Sequence, residues 1–316
     1  MTVALLSLAA AALGRLPDRA LHRVAHLIGV ALYHLDSRRR ALVRSNLRRV
    51  CAAIVATGCP EARVGEAARD DRALERLVRS AFGHYVRYYL EMLVTPSLTP
   101  DYFHERVRVD TPEVLDRAFA DRAERGLILV GLHFGAIEMP GMYVVQRAGV
   151  PVTAPMESVA DPRLQSYLQR SRAATGVRII PLRDARRELR EAVRRKEVAG
   201  LVADRDVLGN GYAVSLFGSP TRVPPGAALL AIDTGAPVYV AAVHRIGWGE
   251  YAGSAIALSD PPPGSLRQRV QDLLDQQARA FEQLIAVAPE QWWTLFFPIW
   301  TDQDAPEGRS RVGGSR

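Results

Sequence analysis

Two rhythms of apolar and polar positions divide this chain. After Pro17, the residues Leu21, Val24, Leu27, Ile28, Ala31, Leu32 and Leu35 recur at helical spacing, with Arg19, His22, Arg23 and His26 elsewhere on the wheel. The uncharged run before them, Thr2 to Gly14, is too short to cross a bilayer and has no basic residues ahead of it, so it does not read as a signal. Two short helices, at an interface or packed on the main domain, satisfy this opening. Residues 66 to 93 predict a further amphipathic helix lined by Leu74, Leu77, Val78, Ala81, Tyr85, Tyr88, Tyr89 and Met92, a stripe that suits a core. Val107 to Val109 reads as a short strand. Thr111-Pro112-Glu113 then opens a helix that Gly126 closes.

From Leu127 the rhythm becomes short apolar runs alternating with helical segments, as in a doubly wound domain. Strands are expected at Leu127 to Leu132, Val150 to Ala154, Val177 to Leu182, Val198 to Ala203, Tyr212 to Phe217, Pro237 to His244 and Tyr251 to Leu258. Helices are expected at Ala136 to Ala148, Pro162 to Thr175, Asp184 to Lys196, Pro224 to Gly235 and Ser265 to Ala286. The fold class is therefore α/β, a central mostly parallel sheet flanked by helices, with an N-terminal helical extension. Three regions follow: 1–100 helical and membrane-associating, 101–300 the α/β domain, and 301–316 a flexible tail.

Composition narrows the function classes. A hydrophobic fraction of 48% in 316 residues supplies an ample core. The net charge of +7 favours an anionic partner, and Lys196 is the only lysine, so the basic residues are otherwise arginines. The cluster Arg38, Arg39, Arg40, Arg44, Arg48 and Arg49, following the apolar entry helices, suits docking to anionic lipid on the cytoplasmic side of a membrane. No zinc-finger or RNA-recognition signature appears, and nucleic acid is not expected as a partner. Cys51 and Cys59 form no paired motif, which argues against a disulfide framework or structural zinc and fits a reducing compartment. No metal and no cofactor are expected.

The chemistry sits where strands end. Leu132 feeds His133, and Ala203 feeds Asp204 in the segment Asp204-Arg205-Asp206. In a parallel sheet both carboxyl ends lie on one edge, so these residues can converge. Glu138 follows His133 in an H-x4-E arrangement; on a continuous helix the two would lie roughly 140° apart, so they meet only if His133 precedes the helix and Gly135 lets the chain turn. A histidine with a carboxylate behind it can take a proton from a hydroxyl, whereas a dinucleotide-binding G-x-G-x-x-G is missing after the first strand.

The run LVGLHFGAIE resembles the H-x4-D/E motif of glycerolipid acyltransferases. With PRLQSYLQRSRAATGVRIIPL, LVADRDVLGNGYAVSLFGSPTRVPPGAALLAIDTGAPV and PEQWWTLFFPIW in the same order, the chain is similar, over most of residues 20 to 300, to bacterial late lipid A acyltransferases and phosphatidylinositol mannoside acyltransferases. The resemblance implies a glycerolipid-acyltransferase-like fold. It also implies transfer of a fatty acyl chain from acyl-CoA or acyl carrier protein to a hydroxyl of a membrane phospholipid or glycolipid. His133 is then the base, and either Glu138 or Asp204 its carboxylate partner: this chain carries Asp204 where the mannoside subgroup has glutamate, and Glu138 where it has aspartate. Arg172 aligns with a family arginine; with Arg205 and Arg163 it is a candidate for holding donor phosphates or a lipid headgroup, Arg222 is a weaker candidate, and Glu157 after the short strand faces the same edge without an assigned role. Backbone amides near Phe134 and Gly135, or an arginine, are candidate oxyanion donors. Water replacing the lipid hydroxyl would make the same site an esterase or thioesterase, and a catalytically idle lipid-binding protein is the remaining alternative. Trp292, Trp293, Phe296, Phe297 and Trp300 read mainly as core.

Overall fold

Asp36 separates the two long N-terminal helices of the computed structural model, which describes residues 10–58, 61–94, 102, 105–157 and 161–303. Helix α1 (Asp18–Leu35) ends there, and the Asp36 carboxylate accepts from the Arg39 amide at 2.9 Å to cap α2 (Ser37–Ala56). The helix expected over 66–93 is two: α3 (Ala62–Ala67) and α4 (Asp71–Val94). The break is chemical, because Asp70 accepts from the Ala73 amide at 2.8 Å and starts a new helix. Most of the Thr2 to Gly14 run lies outside the described residues.

The remaining elements follow in chain order: β1 (Val107–Val109), α5 (Pro112–Arg125), β2 (Leu127–Gly131), α6 (Met139–Ala148), β3 (Val152–Met156), α7 (Pro162–Ala173), β4 (Val177–Pro181), α8 (Ala185–Arg194), β5 (Val198–Val202), β6 (Tyr212–Leu216), β7 (Ser219–Val223), α9 (Gly226–Thr234), β8 (Val238–Arg245), β9 (Tyr251–Ala257) and α10 (Leu266–Ala286). Seven strands form one sheet in the order β1-β9-β8-β2-β5-β3-β4. Only β8 and β9 pair antiparallel within it. The mostly parallel α/β architecture is as the apolar runs predict.

Strand β2 lies at the centre of the sheet, between β5 and β8, with Leu129 opposite Gly200 and Tyr239. Its side chains alternate between two cores. Ile128, Val130 and Leu132 join the large cluster with α2, α4, α9 and α10, whereas Leu127 and Leu129 pack with Ala118, Val144, Val177 and Tyr239 on the other face. A strand buried on both faces reads as a continuous apolar run, which is why Leu127 to Leu132 was legible. The large cluster runs from Tyr33 to Trp300, so the N-terminal helices and the sheet share one core.

Three local differences matter. Helix α6 starts at Met139 rather than Ala136, because Gly135 adopts φ +54° and keeps His133 to Glu138 in a loop. Strand β3 begins at Val152, since Gly149, in the left-handed region, and Pro151 are still turning the chain out of α6. The β6–β7 hairpin was half hidden: Phe217 (φ 51°) and Gly218 (φ 70°) form a two-residue turn of the kind that matches strand twist, and Pro220 masks β7 as a loop. At the carboxyl end, Thr301–Gln303 form a short turn in which Asp302 pairs with Arg49 at 2.6 Å; residues 304–316, the rest of the expected tail, lie outside the described residues.

Candidate active site

His133 stands just past the end of β2 and Asp204 just past the end of β5, its parallel neighbour. Separated by 71 positions in sequence, the two side chains meet at 2.7 Å, His133 Nδ1 to Asp204 Oδ1. The Asp204 side chain is fully buried and that of His133 is 23% exposed, so the carboxylate is sealed beneath an imidazole that reaches the surface. Asp204 Oδ2 accepts from Trp292 Nε1 at 2.9 Å and from Thr294 Oγ1 at 2.6 Å. Burial alone would raise this carboxyl; the charge and hydrogen bond of His133, with the Thr294 and Trp292 donors, outweigh it and hold the group down at about 2. A carboxylate can only accept, so Nδ1 carries the proton and the Nε2 lone pair remains for a substrate.

A second carboxylate does not take part in this pair. Glu138 binds Arg172, whose Nη2 and Nε lie 2.9 Å and 3.0 Å from Glu138 Oε1. Arg172 Nη1 also contacts the Met156 sulfur at 2.7 Å. Arg172, a candidate for holding a phosphate, is thus paired with an internal acid. The segment after β5 divides into three jobs: Asp204 holds His133, Arg205 lies over the rings of Phe297 (4.0 Å) and Trp293 (5.3 Å), and Asp206 accepts from the Gly211 amide at 2.8 Å. Arg205 therefore meets aromatic faces rather than either flanking acid. Arg222 donates to the Gly211 carbonyl at 2.8 Å, closing the same turn. Arg163 is exposed in the first turn of α7, where its amide is capped by Asp161 at 2.8 Å; Glu157 is exposed just past β3.

The histidine loop is laced to residues 291–293. The Trp293 amide donates to the His133 carbonyl (2.8 Å) and the Gly135 amide to the Gln291 carbonyl (3.1 Å), while Phe134 and Trp292 form an isolated bridge. The Phe134 amide donates to Leu132 O at 2.7 Å. The Phe134 and Gly135 amides, candidate oxyanion donors alongside an arginine, are thereby engaged by carbonyls of the fold. Trp293 stacks on the His133 ring at 5.0 Å and 29° and on Tyr88 at 5.5 Å and 29°.

Below the loop lies a buried charge cluster that the sequence did not reveal. Glu91 on α4 accepts from Arg87 Nε at 2.7 Å and from Arg245 Nε at 2.9 Å. Arg245 Nη2 reaches the Gly135 carbonyl at 2.9 Å, and its amide donates to Gln291 Oε1 at 2.9 Å. Burial raises the Glu91 carboxyl, but Arg245 and then Arg87 outweigh it and hold it at about 2. Trp292, Thr294, Glu91 and Arg245 were missed as parts of the site. Only Trp292 left a signal, since a buried indole N–H needs an acceptor.

Among the described residues no group of three or more histidine, cysteine, aspartate or glutamate side chains could hold a metal ion. A sealed carboxylate orienting an imidazole at the carboxyl edge of a parallel sheet can remove a proton from a hydroxyl or a water poised to attack a carbonyl. That geometry describes a class, the acyl-transferring and acyl-hydrolysing enzymes. The family model for bacterial lipid A biosynthesis acyltransferases matches residues 2–300, and the chain belongs to that family. It is accordingly an O-acyltransferase acting on a lipid acceptor. The phosphatidylinositol mannoside acyltransferase of Mycolicibacterium smegmatis is 31% identical over 245 residues, covering 75% of this chain and 76% of that protein. Its counterpart from Mycobacterium tuberculosis is 31% identical over 237 residues, covering 71% and 70%.

Proposed function

We propose that this enzyme moves a fatty acyl chain from an acyl thioester, acyl-CoA or acyl carrier protein, to a hydroxyl of a phosphatidylinositol mannoside-type glycolipid. The 2.7 Å contact between His133 and Asp204 carries the reading. His133 Nε2 takes the acceptor hydroxyl proton as the oxygen attacks the thioester carbon. Asp204 stabilises the imidazolium that forms. The tetrahedral intermediate collapses by breaking the carbon–sulfur bond, and the imidazolium returns its proton to the departing thiolate, leaving an ester and a thiol. Among the arginines expected near the site, Arg205 has a fork that meets rings rather than a carboxylate, so it is the candidate to face the anionic oxygen or the donor's phosphates. The acceptor class rests on the two mannoside acyltransferase relatives.

The enzyme works at a membrane surface. Among the described residues no helix is long and apolar enough to cross a bilayer. Helix α1 nonetheless leaves Leu27 (68%), Ile28 (42%) and Leu35 (82%) exposed, an apolar face suited to lying in the interface. The basic run of α2 is a weaker anchor than its sequence suggests, because Arg44 and Arg48 pair with Asp71, and Arg49 with Asp302.

The test combines mass spectrometry of products from a panel of lysolipid and glycolipid acceptors, each with both donor types, with the variant His133→Ala. Ester formation by the wild type and a loss of about 10³-fold or more in the folded variant are expected. Thioester hydrolysis with no acylated product would make the enzyme a thioesterase, and near-normal turnover by the variant would remove His133 from the mechanism.

A further inference from the structure

Helices α1 and α4 cross where two glycines meet: a Cβ at Gly29 would lie 2.6 Å from Gly83 Cα. Because the backbones touch there, larger side chains beside the crossing hold the helices apart. Between them lies a cavity of about 370 Å³. It lies outside the His133–Asp204 site, and its lining is unusual. From α4 come Arg72, Arg76 and Arg79, which repeat at helical spacing on one face, and His84 further round the helix; from α1 come His22 and His26, one turn apart.

The charges of this wall are only partly answered. Glu75, the acid in the lining, is taken up by Arg44 at 3.1 Å and by the Tyr33 hydroxyl. Arg79 lies over the Tyr33 ring at 5.1 Å rather than against a carboxylate. Arg76 has a single distant partner, Glu66, at 3.4 Å between two exposed side chains, a contact worth little. Arg72 enters no ion pair among the described residues. Burial and then Arg245 hold His84 down at about 3, and burial and then Arg87 lower His22, so both imidazoles are neutral at neutral pH and each offers one N–H donor. Like charges gathered around a concave space repel one another unless an anion joins them. Planar guanidinium forks with neutral imidazole donors between them match the oxygens of a phosphate.

We propose that the cavity between α1 and α4, walled by Arg72, Arg76, Arg79, His22, His26 and His84, binds a phosphate or diphosphate group. The group arrives either on a lipid headgroup, since α1 also carries the exposed Leu27 and Ile28, or on a soluble molecule. Neither His133 nor Asp204 lines the cavity, and binding can be read without turnover.

Binding of inorganic pyrophosphate is measured by calorimetry, and binding to phosphatidylcholine vesicles with and without phosphatidic acid by sedimentation. Three variants are compared with the wild type. Arg72→Gln/Arg79→Gln removes two exposed charges from the wall; Ser80→Glu keeps every arginine but puts a carboxylate among them; Arg183→Gln/Arg267→Gln removes the same charge elsewhere. Wild-type binding of at least one probe is expected, weakened about tenfold or more in the first two variants and little in the third. Weakening confined to vesicles assigns a lipid headgroup, and weakening towards pyrophosphate assigns a soluble phosphate. No binding of either probe by the wild type, equal binding by wild type and both cavity variants, or equal weakening by the distant pair would overturn the proposal.

Discussion

Arg172 holds Glu138 at 2.9 Å, so the carboxylate that follows His133 in the sequence motif is not the one that touches it. Asp204, at the end of the neighbouring strand, occupies that place. The two acids therefore predict different damage. In Asp204→Asn the amide offers N–H to Nδ1 and favours the tautomer with its proton on Nε2, which cannot act as base; kcat is expected to fall by about 10³- to 10⁴-fold with the fold intact. In Glu138→Gln, Arg172 loses its counter-charge in a half-buried setting, and the expected result is a stability loss of about 1–2 kcal/mol with a smaller change in kcat. Steady-state kinetics beside urea unfolding checks both, and the reverse pattern would give Glu138 the relay role.

The buried acid also makes a statement about pH. Asp204 sits at about 2 when folded against an ordinary 3.8, so its ionised form stabilises the fold above pH 3.8 and that contribution is lost as pH falls towards 2. Thr294→Val removes one of the donors that lower it. The folded value then rises towards the unfolded one, and the charge-linked part of the variant's destabilisation, about 1 kcal/mol, should be complete at pH 7 and shrink as pH approaches 2. Urea unfolding of both proteins at pH 7 and pH 3 reads this directly. A difference that grows on acidification would mean that Thr294 does not support the ionised carboxylate.

What could be read from the sequence followed strand ends. His133 and Asp204 were legible because a parallel sheet brings successive carboxyl ends to one edge whatever lies between them. The donors to Asp204 were not, because Trp292 and Thr294 arrive on short turns after α10, whose path over the sheet no local pattern fixes. Glu91 and Arg245 carry no motif or spacing that singles them out, and only the packing of the helix against the strand end encloses both. Phe134 and Gly135 offered amides on paper, and only the register with residues 291–293 shows that they are already used.

Membrane docking is best tested without truncation. Deleting residues 1 to 40 would strip Leu21, Ala25 and Tyr33 from the core and Gly29 from its contact with Gly83, so lost binding could reflect lost fold. Leu27→Ser/Leu35→Ser alters only side chains that are 68% and 82% exposed. This variant is expected to melt like the wild type and to bind vesicles of mixed zwitterionic and anionic lipid about tenfold more weakly, from the apolar area withheld. Unchanged sedimentation would reject α1 as the contact face.

Gly135 sets where His133 stands. Its φ of +54° lies in the left-handed region, and a Cβ there would come within 2.8 Å of His244 Cα and closer still to the Val243 carbonyl oxygen. The nearest atoms are all backbone of β8, so no flexible side chain can yield. In Gly135→Ala the loop must move away from β8, which strains the Gly135 carbonyl bond to Arg245 and the Gly135 amide bond to Gln291. A stability loss of about 2–4 kcal/mol is expected, by analogy with other substitutions at strained backbone positions. Activity should fall further than the folded fraction does, because a shift of about 1 Å in the base costs on the order of 10²-fold in rate. Activity per folded molecule, with the folded fraction taken from urea curves, separates the two effects. Wild-type activity per folded molecule would show that the base keeps its place without this glycine.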